Sequence, residues 1–388
     1  MTAPVRTPEL MTASRLKALG TCPRLHQNRY LRARVPRREA PALRNGTAVH
    51  AALEAWWRAF GRGASGDEAL DDALTALAAT LAELDPFDAV RVEAMVRGYH
   101  LAWWGWAHEN VAEVIGVELP FAYPMAHPLR GGAVEGWTVA GKMDLLLRLR
   151  DGRIAIGEHK SGGEDTRAGS DYQRKLTLDG QVSQYFEGAA VLGYPAEVCI
   201  YDILQKPTLR PALATPADQR RYTQPRSRAC KLCGKRSAPP APHVDPEAGV
   251  ECVDGRVVTD PGGALYAGMR DADETLEEYA ARIAPAVAAD LPAYFRHVEV
   301  VRFDEQLTEH RVDLWHATRH LTLLAHDLGA DAPHPKNPSA CFRYGRCAYL
   351  EVCEGVASLA DDALFKTLET AHPELADATD TTDTTDGR

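Results

Sequence analysis

The stretch WTVAGKMDLLLRLRDGRIAIGEHK, residues 137–160, decides how this chain is read. Two mainly apolar runs, WTVAGKMDLLLRL and RIAIGEHK, flank Asp151-Gly152, the signature of two antiparallel strands joined by a tight turn. Glu158 and Lys160 stand at i and i+2 on the second strand, so their side chains share a face. Loop length decides whether Asp144 joins them. A two-residue loop pairs 150 with 153, sets residue 145 against 158, and turns Asp144 to the other face. A three-residue loop, Arg150-Asp151-Gly152 with a left-handed glycine, pairs 149 with 153 and sets Asp144 opposite Glu158. Two carboxylates facing each other across a strand pair repel. A hard divalent cation with oxygen ligands removes that conflict, and a lysine beside it can position water or stabilise developing negative charge. With no cation, the same residues read as a surface aspartate and an exposed Glu–Lys pair on an amphipathic strand.

Outward from this hairpin, the hydrophobic period predicts helices over 14–19, 23–31, 44–60, 67–84 and 87–109, ahead of a strand VIGVELPFAY at 114–123. A helix over Gly180–Leu192 and a strand AEVCIYDIL follow. Residues 207–270 break the pattern with prolines, arginines and cysteines. After them come a helix over Leu276–Ala288, a strand VEVVRF, a helix over 304–328 and a helix near 357–370. This order predicts an α/β fold, a mixed sheet flanked by helices. The expected divisions are an N-terminal helical region (1–110), a catalytic core (111–206) and a cysteine-containing insertion (207–270). A return to the core (271–358) and a helix with an acidic tail (359–388) complete the chain.

The hairpin resembles the core of the PD-(D/E)XK nuclease superfamily, in its RecB-like branch. Gly141-Lys142-Met143-Asp144 resembles that branch's Gly-x-x-Asp strand end, and Glu158-His159-Lys160 its Glu-x-Lys strand. Met143 stands where the superfamily's name has proline. Asn45-Gly46-Thr47-Ala48-Val49-His50 resembles the Gly-x-x-x-His element, and Gln181-Val182-Ser183-Gln184-Tyr185 the Gln-x-x-x-Tyr element. On chemistry alone, His50 on an apolar helix reads equally as a buried structural histidine, and Gln181 and Tyr185 as boundary residues sharing a helix face. The resemblance implies a restriction-endonuclease-like fold and a metal-dependent DNA nuclease, an exonuclease in repair, recombination or phage and CRISPR DNA processing. It implies that His50, Asp144, Glu158 and the His159 carbonyl hold Mg²⁺ or Mn²⁺ and that Lys160 assists the attacking water. Gln181 and Tyr185 would contact DNA, with Arg24 and Arg29 supplying phosphate contacts. There is no G-x-x-x-x-G-K-[ST] phosphate loop, so a motor such as a helicase would be a separate partner.

Eight cysteines divide into sets. Cys22 near the start, with Cys341, Cys347 and Cys353 in CFRYGRCAYLEVC, makes four thiolates suited to an iron–sulfur cluster or tetrahedral zinc, or else four unrelated buried thiols. The set resembles that of the AddB-like and CRISPR-associated exonucleases, which implies a 4Fe–4S cluster tying the two ends of the nuclease domain together. The spacing Cys-x5-Cys-x5-Cys departs from the family's Cys-x2-Cys-x5-Cys. Cys230, Cys233, His243 and Cys252 are candidate zinc ligands within the insertion, and Cys199, on an apolar strand, reads as core.

Net charge is −10 over 388 residues, which argues against a nucleic-acid binder until its distribution is considered. Residues 361–388 carry eight acids against Lys366 and Arg388, while Arg24, Arg29, Arg32, Arg34, Arg37, Arg38 and Arg44 face only Glu39. A second basic run spans 220–236. No apolar run is long enough for a membrane span and no secretory leader is evident, so a cytoplasmic protein with reduced or metal-bound thiols is expected. Two other classes stay open on sequence: a non-catalytic DNA-binding adaptor on the same fold, and an interaction module organised by zinc or a cluster.

Overall fold

The computed structural model describes residues 8–163, 165–223, 243–244, 251–252, 264–329, 332–343 and 345–375. Strand β1 (Glu9–Met11) leads into α1 (Ala13–Thr21), which is capped by the Thr12 hydroxyl accepting the Arg15 amide. Helix α2 (Pro23–His26) continues as a π-turn over Gln27–Leu31, followed by β2 (Arg34–Pro36) and three longer helices. These are α3 (Pro41–Gly61), α4 (Gly66–Ala78) and α5 (Pro86–Asn110). Proline in the first turn of α3 and α5 and a Ser65–Glu68 capping box on α4 fix their starts.

The centre follows as β3 (Val111–Ala126), β4 (Ala133–Leu149), β5 (Ile154–Gly162), α6 (Asp171–Thr177), α7 (Gly180–Val191) and β6 (Val198–Gln205). Short strands β7 (Tyr222–Thr223), β8 (His243–Val244), β9 (Glu251–Cys252) and β10 (Ala264–Leu265) precede α8 (Leu276–Ala289) and α9 (Leu291–Tyr294). The last described elements are β11 (Phe295–Val300), α10 (Asp304–Leu328), α11 (Leu350–Glu354) and β12 (Phe365–Thr367). The sheet runs β1-β4-β5-β6-β11, with β3 also paired to β4. β1–β4 and β5–β6 are parallel, and the remaining pairs antiparallel. This is the mixed sheet flanked by helices that the sequence predicts.

The β4–β5 turn is the three-residue form. Leu149 N donates to Arg153 O at 2.9 Å, Gly152 N to Leu149 O at 3.0 Å, and Gly152 has φ of +96°. The register runs from Arg148 against Ile154 to Leu145 against Gly157, which aligns Asp144 with Glu158. Helix α7 packs Val182, Tyr185, Phe186 and Ala189 onto Met143, Leu146, Ile156, Cys199 and Tyr201. Phe121 fits between two glycines: a Cβ added at Gly141 or Gly188 would come within 2.6 Å of its ring. That slot lets α7 dock close to the sheet. Alternation along β5 leaves the other face to α3 and α5, whose Trp56, Trp57 and Tyr99 are fully buried.

Two expectations need correction. The helix expected near 357–370 is absent; there β12 pairs with β2, with Arg37 N donating to Leu364 O at 2.9 Å and Leu368 N to Ala33 O at 2.8 Å. Phe365 stacks on Tyr349 at 5.8 Å, so pairing and stacking override a helical pattern in the sequence. The strand expected over 298–303 instead begins at Phe295 and ends at Val300.

Residues Thr208–Pro285 form a compact unit of their own, reaching beyond the interval 207–270. Within it Ala212 N donates to Glu274 Oε2 at 2.7 Å, Tyr279 donates to Leu209 O at 2.8 Å, and Glu274 pairs with Arg282 at 2.6 Å. These ties gather residues after 270 into the same unit. Cys230 and Cys233, most of the 220–236 basic run and the chain after Leu375 lie outside the described residues. His243 and Cys252 are register partners in the β8–β9 pair. Among the described residues no helix is long and apolar enough to cross a membrane.

Candidate active site

The site forms where β4 changes partners. Its residues 137–139 pair with β1 and residues 145–148 with β5, which among the described residues leaves Ala140–Asp144 without a strand partner on that side. Gln184 of α7, fully buried, bridges the opening: its amide donates to Ala140 O at 2.8 Å and to Met11 O at 3.2 Å. An unpaired buried carbonyl is costly, so one glutamine keeps the strands apart and stable. Asp144 occupies the mouth of this opening. The His159 amide donates to its Oδ2 at 2.8 Å.

Glu158, 1% exposed, lies beside Asp144 with Oε2 buried and, among the described residues, without a hydrogen-bond partner. Its Oε1 accepts from Lys160 Nζ and, at 2.9 Å, from Gln181 Nε2. Gln181 Oε1 accepts from Lys160 Nζ at 3.0 Å, and Gln181 Nε2 also donates to the Tyr185 hydroxyl at 2.7 Å. The i, i+4 pair on α7 thus meets the Glu-x-Lys strand in one network. From the other side, His50 Nδ1 of α3 comes within 3.6 Å of Asp144 Oδ2.

Glu118 completes the arrangement, and sequence reasoning missed it. It lies on β3 between Val117, paired with Leu145, and Leu119, paired with Met143, so it stands level with Asp144; its φ is +53°, and Lys142 holds it at 2.6 Å. Ligating atoms of His50, Glu118 and Asp144 all lie within 4.8 Å of one another. An acid inside the apolar run VIGVELPFAY was the available signal, as were Asp202 in VCIYDIL and Gln184 on the buried face of α7.

Electrostatics follow from burial. Desolvation, with Asp144 next to it, pushes the Glu158 carboxyl up to about 7. Burial likewise raises Asp144, against the opposing pull of His159. His50 is lowered by burial and by His159. Burial works against charge on Lys160, but the Glu158 carboxylate outweighs it and the ammonium is held well above its usual value. Carboxylates driven toward protonation, one with an unpaired oxygen, next to an imidazole form a donor set that fits a hard divalent cation such as Mg²⁺ or Mn²⁺.

The His159 ring does not join this set; its Nδ1 lies 3.1 Å from Asp202 Oδ2. Arg24 lies on α2 and Arg29 on the π-turn that continues it. Arg24 Nε donates to His334 O at 2.8 Å, and Arg29 stacks over Tyr30 at 5.5 Å. Arg34 is tied to Asp362, Thr367 and Leu359 O. Cys22, Cys341, Cys347 and Cys353 line one largely apolar cavity of about 380 Å³. Among the described residues, no three of these thiols come within 4.8 Å of one another.

No curated protein matches the chain. Residues 10–354 match the PD-(D/E)XK nuclease superfamily. That interval contains the split sheet, the carboxylate pair and its lysine, and the chain belongs to the PD-(D/E)XK nuclease superfamily.

Proposed function

We propose that this protein is a metal-dependent DNA exonuclease carrying a structural 4Fe–4S cluster. The observation that carries the nuclease reading is the buried Asp144–Glu158–Lys160 constellation at the sheet opening, with Glu158 Oε2 unpaired. His50, Glu118, Asp144 and Glu158, with the His159 carbonyl by family resemblance, would hold the ion. When bound, Mg²⁺ or Mn²⁺ supplies a Lewis acid and an acidified water. Lys160 stays protonated at neutral pH, so it donates a hydrogen bond to the attacking water or to a phosphate oxygen and takes up no proton. Gln181 fixes that ammonium and orients Tyr185 beside it, where the two would steady a nucleic-acid strand. Arg24 and Arg29 would contribute phosphate contacts, whose mark is affinity that falls with salt.

The cysteine cavity supports the cluster. The four thiols line one cavity, which supports a metal group shared between them.

The test is cleavage of end-labelled single- and double-stranded DNA by the full chain with Mg²⁺ or Mn²⁺, beside Asp144→Ala. Progressive loss of label with wild type and none with the variant is expected. Equal activity in both, or none in either on several substrates, refutes the nuclease and favours an adaptor on the same fold.

A further inference from the structure

A buried acid behind the site is met by groups from three elements. Asp202 of β6 lies opposite His159 of β5 in the parallel register. Its Oδ2 is 3.1 Å from His159 Nδ1, and its Oδ1 is 3.6 Å from His297 Nε2 of β11. The Tyr99 hydroxyl of α5 acts on the same carboxylate and helps hold it ionised, and Trp57 Nε1 of α3 donates to that hydroxyl at 2.9 Å. The side chains of His159 and Asp202 are no more than 5% exposed.

Stability alone does not call for this acid. Its neighbours along β6 are Val198, Cys199, Ile200, Tyr201, Ile203 and Leu204, and a well-packed apolar group is often as stable as a buried ion pair. Position gives it a task. The residue whose ring Asp202 holds, His159, also places the amide that fixes Asp144 Oδ2 at 2.8 Å. At its other end the chain of bonds reaches Trp57, on the helix that carries His50, two turns away. His50 Nδ1 in turn approaches that same Asp144 oxygen. A path of polar groups, Trp57–Tyr99–Asp202–His159–Asp144, the last step through the His159 amide, therefore joins α3 to β4. Apolar contact is non-directional and leaves such spacings soft, whereas hydrogen bonds fix distance and angle.

We propose that Asp202 is a positioning residue that sets the separation of His50 and Asp144 for metal binding. This inference rests on the metal centre proposed above and deepens it. The test is calorimetric titration of the full chain with Mn²⁺ alone, with the melting temperature recorded for each protein. Wild type should bind, and Asp144→Asn should lose binding. Asp202→Asn has a single acceptor oxygen, so it cannot serve His159 and its other partners together. Its Mn²⁺ dissociation constant should rise roughly 10–100-fold, as for outer partners of metal ligands. Tyr99→Phe removes only a hydroxyl and should shift affinity in the same direction by less; it decides the matter if Asp202→Asn does not fold. A purely structural role would lower the melting temperature and leave the affinity of folded protein unchanged. Wild-type affinity in both variants overturns the positioning role. A wild type that binds no Mn²⁺, or an Asp144→Asn variant that binds as well, overturns the metal centre itself and this inference with it.

Discussion

Replacing Glu158 by glutamine should stabilise the metal-free protein. In the fold its carboxyl is pushed from the ordinary 4.5 to about 7, by burial first and by Asp144 next. Between those values the folded state holds a proton that the unfolded chain releases, so metal-free stability falls as pH rises through that window. At 1.36 kcal/mol per pH unit, the full penalty is roughly 3 kcal/mol, complete above pH of about 7. Glutamine reproduces the protonated acid in shape and charge and escapes it. Denaturant unfolding in a chelating buffer at pH of about 5.5 and about 8 reads the effect as the difference between Glu158→Gln and wild type, which cancels other titrating groups. That difference should favour the variant and grow by roughly 2 kcal/mol between the two conditions. Mn²⁺ at a hundredfold excess over its dissociation constant should then add about 2.7 kcal/mol to wild type and far less to the variant. A difference that stays constant with pH, or a variant less stable at the higher pH, refutes this account of the site.

Two other outcomes follow from the outer parts of the fold. Anaerobically purified wild type should be coloured and hold about four irons per chain, and Cys22→Ser should lose both with a lower melting temperature; a colourless wild type with about one zinc refutes the cluster. Deleting residues after Leu375 removes four aspartates without touching β12, and DNA affinity measured by anisotropy should rise at low salt and converge at high salt; unchanged or weaker binding refutes an electrostatic role for that segment.

The −10 net charge is softened by local pairing. Asp362 binds Arg34, and its carbonyl accepts from Arg37, so part of the acidic C-terminal segment is spent on the arginine-rich N-terminal one. A deletion beginning at 361 would remove a strand along with the charge, because 361–375 is part of the folded unit.

By itself the sequence determined what local rules control. Period-2 and period-3.6 patterning marked the main strands and helices. The Asp151-Gly152 turn offered two registers and the glycine favoured one, which aligned Asp144 with Glu158. The i, i+2 and i, i+4 spacings put Glu158 with Lys160 and Gln181 with Tyr185. Only the tertiary structure decided what depends on neighbours distant in the chain. Glu118 reaches the site because the β3–β4 register, with Val117 against Leu145 and Leu119 against Met143, sets it level with Asp144, and Gln184 matters because β4 exchanges β1 for β5 at that level. The C-terminal segment became a strand because β2 had an open edge beside it. His159, expected to serve through its carbonyl, turns its ring back to Asp202, and Arg24 is held by a carbonyl more than 300 residues away. Spacing along a chain fixes which side chains share a face; which faces meet is set by packing and by the pairing of buried polar groups, and no local pattern records that.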